Sequence, residues 1–226
     1  MKLFFSVILS IGVFLTLPVA ITVGAQSPVV NKENTTKYVI DGFRSSKFGQ
    51  TQKQVLASIK KDFGVDAKDV VINYNQKDKT TILSTNVKSL SPFTNSGTIQ
   101  YVLGYKTKRL FRVNIYWVSD AKTKKDLLIF SESALSLLEY YSRYDLSDYK
   151  VIQGNIVDDG MVLLGLVAKS DKKSLMELVL SNVEVNLNEK KQLDLELIEN
   201  KTPFAKISYI ADATNLDVFE FKNGDF

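Results

Sequence analysis

The chain has 226 residues, of which 45% are hydrophobic and 24% charged, and a formal net charge of +4. This is an ordinary globular composition, with enough length for one large domain or two small ones. It contains no cysteine and no histidine, which excludes disulfides, thiol nucleophiles, Ser-His-Asp triads and histidine-ligated metals. The mild positive charge does not predict a nucleic-acid partner, because such a partner needs clustered Lys and Arg.

The N-terminus predicts export. Residues 1–25 combine a basic start at Lys2, an apolar run over residues 3–19 and small residues at positions 23–25, just before Gln26. This is the layout of a cleaved secretory signal peptide. A membrane anchor is the alternative, since the apolar run is almost long enough to span a bilayer. Because a secreted eukaryotic domain of this size usually carries disulfides, we expect a periplasmic or secreted bacterial protein with no transmembrane segment after cleavage.

The first half of the remaining chain predicts one helix followed by four strands. Residues 26–37 are polar and predict a flexible leader. Thr51 and Gln54 form a capping box and Gly64 a C-terminal cap, which predicts a helix over residues 51–63. Strands are expected at residues 70–74, 80–87 and 98–105 and in a fourth segment, where Phe111, Val113, Ile115 and Trp117 alternate toward the core.

The same order of elements then recurs. A helix is predicted between residues 120 and 144, with its start moved toward Asp126 because the lysines before it oppose the helix dipole. Asp158, Asp159 and Gly160 predict a hairpin turn, and residues 174–182 fit either a strand or a helix. Strands are expected at residues 150–156, 161–168, 174–185, 192–199, 205–211 and 217–221. We therefore predict an α+β fold of two helix-then-antiparallel-sheet units in tandem, residues 38–118 and 119–226.

Several segments carry a family resemblance. Residues 41–49, with the sequence DGFRSSKFG, and residues 51–55 resemble an uncharacterised family of exported Gram-negative bacterial proteins, and the likeness continues through residues 101–106 and 207–219. More distantly, the N-terminal pattern is similar to the small lipoproteins of outer-membrane barrel assembly and to β-lactamase inhibitory proteins. The resemblance implies a helical layer packed on an antiparallel sheet, present twice in the inhibitors, and it implies no catalytic residues. The chain departs from the assembly lipoproteins in its greater length and in lacking the cysteine that carries the lipid.

A binding surface is expected on the side of the first sheet that faces away from the helix. Tyr and Arg are enriched at binding hot spots, and the alternative is a plain solvated sheet face. Strand alternation places Ser84, Asn86, Gln100, Arg112, Asn114 and Tyr116 on that side, with Lys106, Lys108 and Arg109 at the rim. Arg44 and Lys47 are further candidates for an anionic partner, whereas the neighbouring Phe43 and Phe48 are expected to pack the helix onto the sheet.

No motif predicts catalysis, a metal or a cofactor. Asp212, Asn215 and Asp217 provide oxygen atoms but lack the spacing of a calcium loop, and turn residues of this kind usually bond their own backbone. We therefore expect a non-catalytic envelope protein that binds another protein or an envelope polymer. The alternatives are an inhibitor of a secreted hydrolase, suggested by the tandem layout, and a hydrolase that works through carboxylates or Lys. The latter requires a deep pocket of acids with perturbed pKa values.

Overall fold

The structure, a computed structural model, describes residues 36–171, 173–187 and 193–220. Its elements in chain order are β1 (Gly42–Phe43), β2 (Ser46–Lys47), α1 (Gln52–Phe63), β3 (Val71–Asn75), β4 (Thr80–Val87), β5 (Gly97–Leu103), β6 (Leu110–Val118), α2 (Lys124–Ser142), β7 (Tyr149–Val157), β8 (Gly160–Ala168), β9 (Leu175–Ser181), β10 (Val183–Leu187), β11 (Leu193–Leu197) and β12 (Phe204–Ile210). Eight strands form one antiparallel sheet in the order β3-β4-β5-β6-β12-β9-β8-β7, and β1-β2 and β10-β11 form separate pairs.

The prediction of an α+β fold of two tandem units is wrong. Each half does run from a helix into a meander, but β12 inserts between β6 and β9 and joins the halves into one sheet. Ile207 of β12 lies opposite Ile115 of β6 on one side and Leu178 of β9 on the other. The described part of the chain is mostly β, with 45% strand and 19% helix. Alternating hydrophobicity identifies a strand but not its neighbours, so the sequence pattern could not reveal this continuity.

Both helices begin with a capping box, in which two side chains satisfy amides that the helix leaves free. At α1, the Thr51 hydroxyl accepts from the amide of Gln54, whose side chain accepts from the amide of Thr51. Gly64 ends the helix with a φ of 71°, a left-handed conformation that glycine adopts without strain. These contacts confirm the predicted position of α1.

The second helix begins earlier than predicted. Thr123 and Asp126 form its capping box, and the carboxylate of Asp126 compensates for the lysines at the positive end of the helix dipole. The first helical residue, Lys124, also forms an ion pair with Asp194 of β11 at 2.5 Å. The N-terminal lysines of α2 are thus accommodated by two nearby carboxylates.

The two helices pack on the same side of the sheet. Tyr209 of β12 stacks on Phe43 with ring centroids 5.8 Å apart, and Phe43 also stacks on Phe63 of α1. The hydroxyl of Tyr209 lies 2.7 Å from that of Tyr141 in α2. One core therefore lies between the helices and the sheet. Its most deeply buried side chains include Ile59, Leu83, Ile99, Ile115, Leu127 and Leu166.

The second half differs from prediction after β9. Asn182, with a φ of 61°, breaks the predicted strand 174–185, and its side-chain amide donates to the carbonyl of Thr202 at 2.8 Å. The chain then leaves the main sheet, and β10 pairs only with β11. Residues 217–220 form no strand, while residue 221, the predicted signal peptide and most of the predicted leader lie outside the described residues.

One residue of β6 does not occupy its predicted position. The register between β5 and β6 shifts after Val102, and Leu110 takes the place opposite Leu103 that faces the core. Phe111 lies at this irregularity, where the strand bulges. Val113, Ile115 and Trp117 face the core as predicted and are at most 2% exposed. Among the described helices, none is long and apolar enough to cross a membrane.

Candidate binding surface

The side chains that point away from the helices form a surface that we call the open face. Strand register arranges them in three rows that cross the sheet. The central row contains Val71, Ser84, Gln100, Asn114, Ser208, Glu177, Gly165 and Ile152. A second row contains Ile82, Val102, Arg112, Ile210, Leu175, Val167 and Lys150. The third row contains Asn86, Thr98, Tyr116, Lys206, Val179, Val162 and Asn155. The face is mainly polar between β4 and β6 and mainly apolar between β9 and β7.

The segment after β12, residues 211–220, crosses one end of the open face. The carboxylate of Asp217 accepts hydrogen bonds from the amides of Lys106 and Thr107 at 2.8 and 3.0 Å. Desolvation opposes ionisation of this carboxyl, but hydrogen bonds from the Thr107 hydroxyl and the two amides outweigh it and lower the pKa of Asp217. Gly104 permits the close approach, since a Cβ atom there would lie 2.7 Å from Cβ of Asp217.

The acidic residues of this segment therefore have a structural role. Asp217 anchors it to the turn between β5 and β6, and the hydroxyl and amide of Thr214 both bond to the carboxylate of Asp212. Within the described ranges, no group of three or more acidic side chains is placed to hold a metal ion. Asp212 thus bonds within its own turn, as expected, whereas Asp217 bonds the backbone of a turn that is distant in the sequence.

Arg112 lies where the polar and apolar parts of the open face meet. Its cross-strand neighbours are Val102 and Ile210, and its guanidinium carbon is 5.3 Å from the ring centroid of Phe111. The Nε atom is buried and has no hydrogen-bond partner, and none of the ion pairs in the described part of the chain includes Arg112. Desolvation lowers the pKa of Arg112, against a smaller opposite effect of Asp78.

Polar side chains follow Arg112 along the open face of β6. The Asn114 carbonyl oxygen accepts from the Ser208 hydroxyl at 3.0 Å, which directs the amide nitrogen of Asn114 elsewhere. Tyr116 lies opposite Lys206; burial raises the pKa of Tyr116 and the positive charge of Arg112 opposes this. The three rows include the cations Arg112, Lys150 and Lys206 but one carboxylate, Glu177. Within the three rows, cations therefore outnumber carboxylates.

The structure places two predicted site residues away from the open face. The guanidinium of Arg44 lies over the ring of Phe63 in α1, 4.8 Å from its centroid, which puts Arg44 on the helix side of the sheet. Lys47 forms an ion pair with Asp41 at 2.8 Å in the same N-terminal region. Neither cation is brought together with Arg112.

The predicted rim residues separate in a similar way. Lys108 lies on the turn between β5 and β6, with its ammonium 5.3 Å from the ring centroid of Tyr105, at the end of the open face. Arg109 follows directly, but its guanidinium donates to the carbonyl of Gly49 at 3.1 Å and so turns toward the N-terminal segment. Of the predicted site residues, Gln100, Arg112, Asn114 and Tyr116 share the open face with Lys108 at its rim.

Sequence reasoning missed the part of the open face that β12 and β9 supply. Lys206, Ser208 and Ile210 alternate along β12 and extend the rows of Tyr116, Asn114 and Arg112. The alternation is visible in the sequence, but the expected tandem units placed these residues on a separate sheet. The pairing of β12 with β6 is what brings them together.

Two cavities lie outside the open face. A shallow groove of ≈570 Å³ along α1 includes Lys60 and Asp66, which form an ion pair at 2.6 Å. A smaller cavity of ≈340 Å³ beside α2 includes Asp126, whose pKa is lowered mainly by the hydroxyl of Thr123. The carboxylates of Asp66 and Asp126 therefore serve an ion pair and a helix cap. Neither cavity is the deep, acid-lined pocket that a carboxylate-dependent hydrolase requires.

Comparison of the chain with protein-family models, curated proteins and solved structures found no match. The resemblance to exported Gram-negative proteins, noted from the sequence, therefore stays a prediction. The assignment of function rests on the geometry and charge of the open face.

Proposed function

We propose that this chain is an exported, non-catalytic bacterial protein that binds another protein through the open face of its sheet. Export to the periplasm or the medium is supported by the signal-peptide pattern of residues 1–25. The observation that carries the binding proposal is that Arg112, a half-buried cation, forms no ion pair within the described residues. Such a group is costly in a folded chain, and a bound partner supplies what it lacks.

The composition of the open face favours a protein as the occupant. Protein interfaces combine apolar contact area with a limited number of polar groups, and Tyr and Arg are enriched at their centres. With strands about 4.8 Å apart and residues about 3.4 Å apart along each strand, eight strands and three rows give an area of about 700 Å². A standard interface buries about 800 Å² on each partner. An anionic polymer is less well matched, because it requires a denser array of cations.

The excess of cations over carboxylates specifies the partner further. Two copies of this face would bring like charges together, which disfavours self-association through it. A partner surface with a net negative charge complements Arg112 and Lys206, while the apolar side chains of β9, β8 and β7 need an apolar counterpart. The hydrolase-inhibitor alternative rested on the tandem layout, which the structure contradicts.

Site-specific photo-cross-linking tests the proposal. A photoreactive amino acid at Gln100, in the central row, is expected to give a discrete adduct in extracts of the source cells. Unlabelled wild-type protein should compete for this adduct, whereas the double variant Arg112→Ala/Tyr116→Ala should compete at least about tenfold less well, because it lacks two side chains of the types that dominate interfaces.

A matched control removes the same residue types from the other side of the molecule. Arg143→Ala/Tyr140→Ala changes exposed positions at the C-terminal end of α2 and should compete like the wild type. A photoreactive residue at the exposed Glu132 of α2 should not give the same adduct. Equal competition by both double variants, or the same adduct from both positions, would remove the open face as the binding surface.

A further inference from the structure

We infer that Arg112 binds the carboxylate of an Asp or Glu side chain of the partner, an inference that rests on the proposed function. The guanidinium carries five N–H donors in a planar fork and cannot be deprotonated in proteins. No described carboxylate pairs with Arg112, and because its Nε is buried, the terminal Nη1 and Nη2 groups are the donors that face a partner. A carboxylate provides two acceptor oxygens in the matching plane, and the resulting hydrogen bonds are charge-assisted.

The surroundings of Arg112 favour a strong contact of this kind. Val102 and Ile210 flank it across the neighbouring strands, and Val102 is 6% exposed. Apolar neighbours lower the local dielectric constant, which strengthens a charge-assisted hydrogen bond once it forms and makes an unpaired charge more costly. The same neighbours provide contact area for the aliphatic stem of an acidic side chain.

The spacing of charges on the open face favours a carboxylate over a phosphate. Lys206 lies four residues along β12 from Ile210, the partner of Arg112, which corresponds to about 14 Å. Lys150 shares the row of Arg112 but lies four strands away, at about 19 Å. Within the three rows, Arg112 is thus an isolated cation. One guanidinium fork matches a monoanion, whereas a phosphate group carries more charge and is usually held by a cluster of cations.

The test follows the Nε–H signal of Arg112 by NMR while blocked tripeptides are added to the purified protein. The probe is acetyl-Leu-Glu-Leu-amide, in which the Glu side chain is the only charge. The matched control is acetyl-Leu-Gln-Leu-amide, and the Arg112 signal is assigned from its loss in Arg112→Lys. We expect a saturable shift with the Glu peptide and binding at least about tenfold weaker for the Gln peptide, as for the loss of one charge-assisted contact.

Two variants separate charge from shape. Arg112→Gln should weaken binding of the Glu peptide about tenfold, as measured by the shifts of neighbouring backbone amides. Arg112→Lys keeps the charge but not the planar fork, so its affinity should fall between those of Arg112→Gln and the wild type. Unchanged backbone spectra elsewhere show that each variant is folded.

Several outcomes would overturn the assignment. These are no saturable shift at Arg112, equal affinity for the Glu and Gln peptides, or tighter binding of inorganic phosphate, which would point to a phosphate-bearing polymer. Tighter binding of acetyl-Leu-Gln-Leu with a free C-terminus would show that Arg112 binds a C-terminal carboxylate and not an acidic side chain. A specific adduct at Gln100 without peptide binding would refute the carboxylate anchor alone, whereas absence of the adduct would refute the proposed function.

Discussion

The covered and open faces of the sheet are formed by the same strands, but one serves stability and the other recognition. In β6, Val113 and Ile115 face the helices and are at most 1% exposed, while Arg112, Asn114 and Tyr116 alternate with them on the open face. The covered side chains gain stability from loss of contact with water, about 25 cal/mol per Å² of apolar surface. On the open face, Arg112 and Tyr116 stay partly exposed, and the buried Asn114 is bonded to Ser208. Stability and recognition are thus separated by the two-residue period of the strand.

Adjacent substitutions in β6 give the largest expected difference between the faces. Ile115→Ala should lower the free energy of unfolding by about 2–5 kcal/mol, because it leaves a cavity under the helices. Tyr116→Ala removes a larger side chain from the open face and should lower it by about 1 kcal/mol or less. Urea denaturation of both variants measures the two values. Similar losses in the free energy of unfolding for the two variants would mean that the open face is covered by another part of the protein that contributes to folding.

A pair of tyrosine substitutions gives an intermediate effect. Tyr209→Phe removes a hydroxyl that lies 2.7 Å from the hydroxyl of Tyr141 and leaves a buried polar group with one partner fewer. We expect a loss of about 1–2 kcal/mol in the free energy of unfolding. Tyr116→Phe, on the open face, should lower the free energy of unfolding by about 0.5 kcal/mol or less. Thermal denaturation of the two variants compares these values. A stable Tyr209→Phe variant would show that the buried hydroxyl pair contributes little.

The smallest expected effect concerns the segment that crosses the end of the open face. Because the pKa of Asp217 is lowered from its ordinary value of 3.8, the folded protein favours its carboxylate. This contribution is complete above about pH 5 and is lost as the pH falls through the lowered pKa. Asp217→Asn should therefore destabilise the protein near neutral pH, by about 1 kcal/mol or less because the group is largely solvated.

The pH dependence of this difference is the critical measurement. The gap between wild type and Asp217→Asn should narrow as the pH falls below about 4, since protonation removes the same carboxylate from the wild type. Asp171→Asn, at an exposed position on another turn, is the control and should show a smaller gap at neutral pH. A gap that widens toward low pH would contradict the assigned role of Asp217.

Local features of the fold could be predicted from the sequence, whereas its long-range pairing could not. The capping box at Thr51, the Gly64 cap and the alternation of Val113 to Trp117 are determined by neighbouring residues, and the structure confirms them. The position of β12 depends on contacts with strands far away in the chain, which no local pattern encodes. The break at Asn182 was missed because apolar residues continue on both sides of it.

The candidate site shows the same contrast between local features, which could be predicted, and long-range pairing, which could not. Alternation within β5 and β6 was enough to group Gln100, Asn114, Arg112 and Tyr116, since these strands are neighbours in the chain as well as in the sheet. Lys206 was missed because it reaches the site through the pairing of β12. The Nε of Arg112 lacks a partner because of three-dimensional packing, which no sequence pattern predicts.

The position of β12 also determines when the fold can be completed. It is the last of the described strands in the chain, yet it occupies the middle of the sheet. Until residues 204–210 pair, the facing edges of β6 and β9 have no partner, and each half-sheet is an incomplete intermediate with exposed strand edges. Contacts between distant parts of a chain form slowly. The sheet therefore closes only when β12 pairs with both halves, and any device that delays β12 leaves both half-sheets incomplete.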